Sequence, residues 1–195
     1  MKVIIIEGPD NCGKDTLIKG LSKYFNDSVA VIHAGVPNSS NLFSYYYDGI
    51  IHDTLDNYYN DDKAALIHNR SIYGEYVYGP KYRGLNKSSA AKLIYDLEVD
   101  QLRTFIFSWD LYFILLTSDS AELLANNDDG LSISNKIDDI KDEIDQFTEV
   151  FNLSTIKNKK MVKVNNGLSF RDCNDIYSEV ISFIGGSNEY SNISR

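Results

Sequence analysis

Two glycines and a lysine in Gly8-Pro9-Asp10-Asn11-Cys12-Gly13-Lys14, followed by Asp15 and Thr16, are spaced to hold a polyphosphate. In a G-x-x-x-x-G-K turn the backbone N–H groups face inward and the N-terminus of the following helix adds partial positive charge. The lysine then reaches the outer phosphates of a nucleotide. Gly8 and Gly13 permit torsions that other residues resist. The setting gives the pattern its weight. Apolar Val3-Ile4-Ile5-Ile6 leads into it as a buried strand ending at Glu7, and Leu17, Ile18, Leu21 and Phe25 recur behind it at helical spacing. The expected chemistry is nucleotide binding.

Such a loop works only if a sheet and a helix hold its two ends. Apolar runs and helical patterns alternate along the chain: strands are expected over residues 3–6, 29–33, 64–67, 111–117 and 161–164. Helices are expected from 17 to 25, 42 to 59, 88 to 102, 120 to 124, 135 to 151 and 172 to 184. This alternation predicts a five-stranded parallel sheet with helices on both faces, a three-layer α/β/α domain over residues 1–184. Ligands gather beyond the carboxyl ends of such strands. Residues 125–134, polar and turn-rich, read as a lid, and 185–195 as a flexible tail.

At 195 residues the chain suits one domain. A net charge of −9, from 28 acidic and 19 basic residues, opposes a stable complex with nucleic acid or a lipid surface and favours small nucleotides carried with Mg²⁺. The opening apolar run is too short for a signal peptide, and the run 105–117 is broken by Asp110, so a cytoplasmic location and no membrane partner are expected. Two cysteines without zinc spacing predict neither disulfide nor structural metal.

The loop G-P-D-N-C-G-K-D-T resembles that of thymidylate kinases and phage-type deoxynucleoside and nucleotide kinases of the P-loop NTPase fold. Asn69-Arg70-Ser71 is similar to their D-R-[YFS] or E-R-S element, and the likeness continues through residues 74–84. The resemblance implies ATP-dependent phosphoryl transfer to a (deoxy)nucleoside monophosphate with Mg²⁺. A deoxynucleoside or a modified DNA base is the alternative acceptor, and a catalytically silent nucleotide sensor the alternative function. It implies that Lys14 and the amides of Gly8, Asn11, Cys12 and Gly13 hold the β- and γ-phosphates and that Thr16 caps the helix near the α-phosphate. Asp10 would meet the acceptor's sugar and Arg70 its transferring side, while Glu7 would reach the acceptor as in kinases whose loop opens E-G. Related kinases are often dimers, which leaves a homodimer open. For a phage-encoded chain the location would be the host cytoplasm.

Three departures alter the chemistry. Asp15 replaces the usual Mg²⁺-binding Ser or Thr, and Asn69 replaces the acidic residue before the arginine, so Asp15 is expected to take over metal holding. No Lys or Arg lies between Arg103 and Lys136, which leaves the lid without a cation and Arg83 as the candidate second catalytic one. Nine of 14 tyrosines fall between Tyr45 and Tyr82; Tyr46 and Tyr73 are candidates to touch the acceptor, as is Glu75, with ordinary packing as the competing reading. Asn135-Lys136-Ile137-Asp138 matches a guanine-reading N-K-x-D, but the apolar stripe running through it reads as a helix start. His33, His52 and His68 lack metal spacing. Ordinary structural or exposed roles are expected for these and for Cys12, whose place at a helix N-terminus also leaves thiol sensitivity open.

Overall fold

The computed structural model describes residues 1–35, 56, 63–102, 110–128, 130, 132–134 and 136–185. The expected helix over 42–59, Tyr46 and the tail beyond Gly185 lie outside them.

Five parallel strands form one sheet: β1 Lys2–Glu7, β2 Val29–His33, β3 Ala65–Asn69, β4 Asp110–Thr117 and β5 Asn158–Lys163, in the order β2-β3-β1-β4-β5. β1 is central because Val3 to Ile6 are apolar on both faces, as a strand covered on both sides must be; all four are at most 1% exposed. The chain runs outward from β1 to β2, returns through β3, and then crosses to β4 on the other side. That reversal opens a crevice at the carboxyl end of β1, where the glycine loop emerges.

Helix α1 (Lys14–Tyr24) buries Leu17, Ile18 and Leu21 against the sheet, and ends where Asn26 and Asp27 turn left-handed. It shares that face with the closing helix, which we number α6 (Cys173–Gly185). On the opposite face lie α2 (Tyr73–Tyr82), α3 (Lys87–Asp96) and much of α5 (Ile137–Leu153), around Tyr73, Phe113, Phe147 and Phe151. The short α4 (Ala121–Asn126) is capped by Ser120, whose hydroxyl accepts from the Leu123 amide at 3.1 Å. The hairpin β6 (Asn165–Asn166) and β7 (Ser169–Phe170) turns at Gly167, whose φ is 60°. None of the described helices is long and apolar enough to cross a membrane.

Several elements correct the sequence reading. The expected helix over 88–102 runs as α3 only to Asp96 and continues as a π-helical segment, Leu97–Leu102. β5 begins at Asn158, three residues before the apolar part of the strand; its Lys159 and Lys160 suit a sheet edge. Residues 73–82, for which no helix is expected above, form α2 although Pro80 and Gly79 lie inside it. Ala125 and Asn126 belong to α4 and not to the lid. The helix expected from 135 begins at Ile137, which is 47% exposed and off the buried stripe of Ile140, Phe147 and Phe151.

Candidate functional site

The loop between β1 and α1 is built from three left-handed backbone positions: Gly8 at φ 145°, Asn11 at 64° and Gly13 at 77°. Gly8 is doubly constrained, because a Cβ there would also collide with the Leu116 carbonyl oxygen of β4. Lys14, the first residue of α1, is 7% exposed and curls back over the loop, donating to Gly8 O at 2.8 Å and Pro9 O at 2.6 Å. Burial, then the neighbouring Arg70 charge, lowers its pKa. The two carbonyls hold the ammonium over the loop.

Arg70, just past β3, has φ 69° and pairs with Asp10 Oδ1. Burial alone would raise the Asp10 pKa, but the guanidinium outweighs it and the group stays below its ordinary range. The second Asp10 oxygen accepts from the Ile133 amide at 3.1 Å. Beside this pair, Glu7 is fully buried at the end of β1; its Oε1 accepts from the Ser71 amide at 2.6 Å, while Oε2 has no partner among the described residues. Burial pushes its carboxyl up to about 7, against the pull of Arg70, Ser71 and Lys14.

That shift carries a pH dependence with a definite sign. Between the ordinary carboxylate value of 4.5 and about 7 the folded chain retains a proton that the unfolded chain releases. The contribution to stability is therefore complete below 4.5 and lost as pH climbs through 7. Glu7→Gln, neutral at every pH, is expected to unfold at the parent's temperature near pH 4 and to be more stable by roughly 3 kcal/mol at pH 7.5, read by calorimetry. The lowered Lys14 pKa acts in the opposite direction, adding stability as pH rises in the alkaline range, so the comparison stays below it.

At the end of β3, Asn69 Nδ2 donates to Asp15 Oδ1 at 2.7 Å and lies 3.0 Å from His33 Nδ1. The two departures noted in the sequence thus meet across one hydrogen bond. Asn69 Oδ1 is buried without a partner among the described residues. A Mg²⁺ ion fits this donor set, since it needs one or two protein oxygens and otherwise takes water and phosphate. Among the described residues no group of three or more His, Cys, Asp or Glu gathers to hold a metal.

A cavity of about 580 Å³ adjoins the loop, between α1, the β6–β7 hairpin and α6. Asn11, Cys12, Gly13 and the exposed Thr16 reach it from the loop side; Arg171, Asn174 and Tyr177 close the far wall. Its size suits a nucleoside. The far-wall residues escaped the sequence reading, where Arg171 stands alone between two apolar runs. The one local signal was the turn-forming Asn166-Gly167 pair before it.

The segment 132–134 meets the loop. Asn11 Nδ2 donates to Ser132 Oγ at 2.9 Å and to Leu124 O at 3.3 Å, and the Ser134 hydroxyl donates to buried Glu143. Glu143 also accepts from Tyr78 and lies 3.7 Å from Lys81. Tyr78 and Glu143, near the Arg70–Asp10 pair, were not foreseen.

Other expected site residues sit elsewhere. Tyr73 is a core residue: it stacks on Phe113 with centroids 4.3 Å apart and donates to Glu98 at 2.8 Å, so no face is open to a ligand. Glu75 is a buried helix residue and grips Arg83 through two bonds of 3.0 and 2.7 Å. The Arg83 guanidinium is thereby directed to Glu75. Cys12 is 2% exposed, and burial raises its thiol to about 12, which argues against the expected sensitivity. A thiol reagent added to native protein is expected to titrate one fast equivalent, at exposed Cys173, with the second appearing only on unfolding.

No family model matches the chain, and no curated protein matches it. Among solved structures, it superposes on the YorR protein of Bacillus subtilis, in complex with phosphorylated GDP, with a TM-score of 0.62. That match has 18% identity and covers 94% of this chain and 96% of that one. The fold is that of the P-loop nucleotide kinases. Thymidylate kinase from Ehrlichia chaffeensis gives 0.57 at 16% identity over 93% and 97% of the two chains. Deoxyadenosine kinase from M. mycoides with bound dATP gives 0.55 at 12% over 94% and 100%.

Proposed function

We propose that the chain transfers the terminal phosphoryl group of ATP to a (deoxy)nucleoside monophosphate, with Mg²⁺ at Asp15. The observation that carries this reading is the convergence of Lys14 and the Arg70–Asp10 pair at the crevice where the sheet order reverses. Phosphoryl transfer asks a protein chiefly for positioning and charge neutralisation. Lys14 and the loop amides would hold the donor's phosphates, and the cavity beside α6 would take its nucleoside. Arg70 would leave Asp10 for the acceptor's oxygens, freeing the Asp10 carboxylate to receive a sugar hydroxyl. The metal, when bound, would neutralise phosphate charge. The likeness to thymidylate kinase supports the acceptor class.

One observation favours a second acceptor, a deoxynucleoside. Glu7 Oε2 is buried, unpartnered among the described residues and poised to take a proton near neutrality. A 5′-hydroxyl has a proton to give up on attack; a monophosphate dianion has none. Purified protein with ATP, Mg²⁺ and a panel of deoxynucleosides and their monophosphates separates the readings by which acceptor releases ADP. Binding of ATP with no turnover on any acceptor would sink both and leave a nucleotide sensor.

A further inference from the structure

We propose that Glu143 is a positioning residue for Arg70, acting through the Tyr78 hydroxyl, which stays with the guanidinium when the acceptor draws it off Asp10. This deepens the proposed kinase reading and rests on it for the acceptor's arrival.

Tyr78 lies in α2 and Glu143 in α5, 4% and 1% exposed. The tyrosine ring is held edge-on to Phe147, with centroids 5.7 Å apart, and beside Tyr82 at 6.3 Å. Packing thus fixes where the hydroxyl sits. A phenol has one proton to donate and lone pairs with which to accept, whereas a guanidinium has donors only. Arg70 is a hydrogen-bonding neighbour of this hydroxyl, so it can only donate to it. The phenol proton then goes to Glu143, whose Oε2 is 3.4 Å away.

The rest of the Glu143 carboxyl is already engaged. The Ser134 hydroxyl donates to Oε1, and Lys81 stands 3.7 Å from the same atom. Oε2 is left for Tyr78. Burial raises the carboxyl's pKa against the pull of Ser134 and Lys81, and the Asp10 charge raises it further. Two acidic groups therefore serve one guanidinium: Asp10 directly, and Glu143 one hydroxyl away.

The arrangement matters once Arg70 exchanges partners. Its side chain is 33% exposed, so acceptor oxygens can compete with Asp10 for it, while Tyr78 is buried between two helices. Without that hydroxyl, a released arginine would regain the rotamer freedom of a long side chain. With it, the guanidinium pivots about a fixed point. A misplacement of about 1 Å at a reacting group costs up to about a hundredfold in rate.

The test uses the full-length protein, each variant assayed below its melting temperature. Tyr78→Phe keeps the ring and loses the hydroxyl. It is expected to lower kcat by about tenfold to a hundredfold while ATP affinity stays within a few-fold, and Glu143→Gln should act in the same direction. In an Arg70→Ala background Tyr78→Phe should cost nothing further, because the two act as one unit. Wild-type kcat in Tyr78→Phe, or an undiminished further loss in the Arg70→Ala background, would overturn the proposal. A readout free of turnover is the ¹⁵N spectrum, in which a restrained guanidinium gives separate Nη signals. In Asp10→Ala, which imitates a released Arg70, the signals should stay separate; in Asp10→Ala/Tyr78→Phe they should merge. Signals merged already in Asp10→Ala, or separate in both, would also overturn it. The expected spectra without turnover on any acceptor would reject the kinase reading alone, whereas turnover indifferent to Tyr78→Phe would reject the positioning role alone.

Discussion

Replacing Lys14 by alanine is expected to lower kcat for phosphoryl transfer by about a thousandfold, the scale on which a single preorganised donor to developing charge acts. ATP affinity should fall with it. Thermal stability should hardly change, because the variant relieves a desolvated ammonium while giving up its bonds to Gly8 O and Pro9 O. Lys14→Arg should not restore activity, since a planar fork cannot enter a turn shaped around a point charge. Kinetics and a melting curve on the same samples provide the check, and a variant retaining activity within tenfold would remove Lys14 from the reaction.

Arg70→Ala should have the next largest effect, and a different signature. It is expected to lower kcat/KM for the acceptor by about two to three orders of magnitude, while the dissociation constant of ATP stays within a few-fold. Losing the guanidinium also leaves Asp10 without its ion-pair partner and fully buried Glu7 without the cation that pulls on it most. The variant should therefore unfold earlier at pH 8 than at pH 5, where Glu7 takes up a proton and relieves the burial. Arg70→Lys should recover part of that stability but little of the rate. Equal losses in donor and acceptor binding would instead assign Arg70 to the scaffold.

The fold was legible because its signals were local. Val3 to Ile6 could only be a strand covered on both faces, and the glycine spacing fixed what followed. α2 was hidden because Gly74, Gly79 and Pro80 argue against a helix one residue at a time, whereas the contacts of Tyr73, Tyr76 and Val77 with the core override them. The same concealment misplaced Glu75 and Tyr73, whose burial depends on a helix that periodicity did not announce. Cys12 shows the converse limit: its position before the helix suggests a reactive thiolate, yet contacts with residues far along the chain bury it. The Asp15–Asn69 exchange could be read as two departures from one resemblance, but only the β3–α1 geometry makes them neighbours.

Gly8 has one further implication, for assembly. Its main chain lies so close to Leu116 that the β4 backbone serves as the mould for the loop. An isolated β1–α1 unit lacks this packing surface, so the turn gains its β4 contact only when the sheet pairs. During refolding, uptake of nucleotide should therefore lag behind the zippering of β1 to β4, making ligand capture a late checkpoint on a correctly registered sheet.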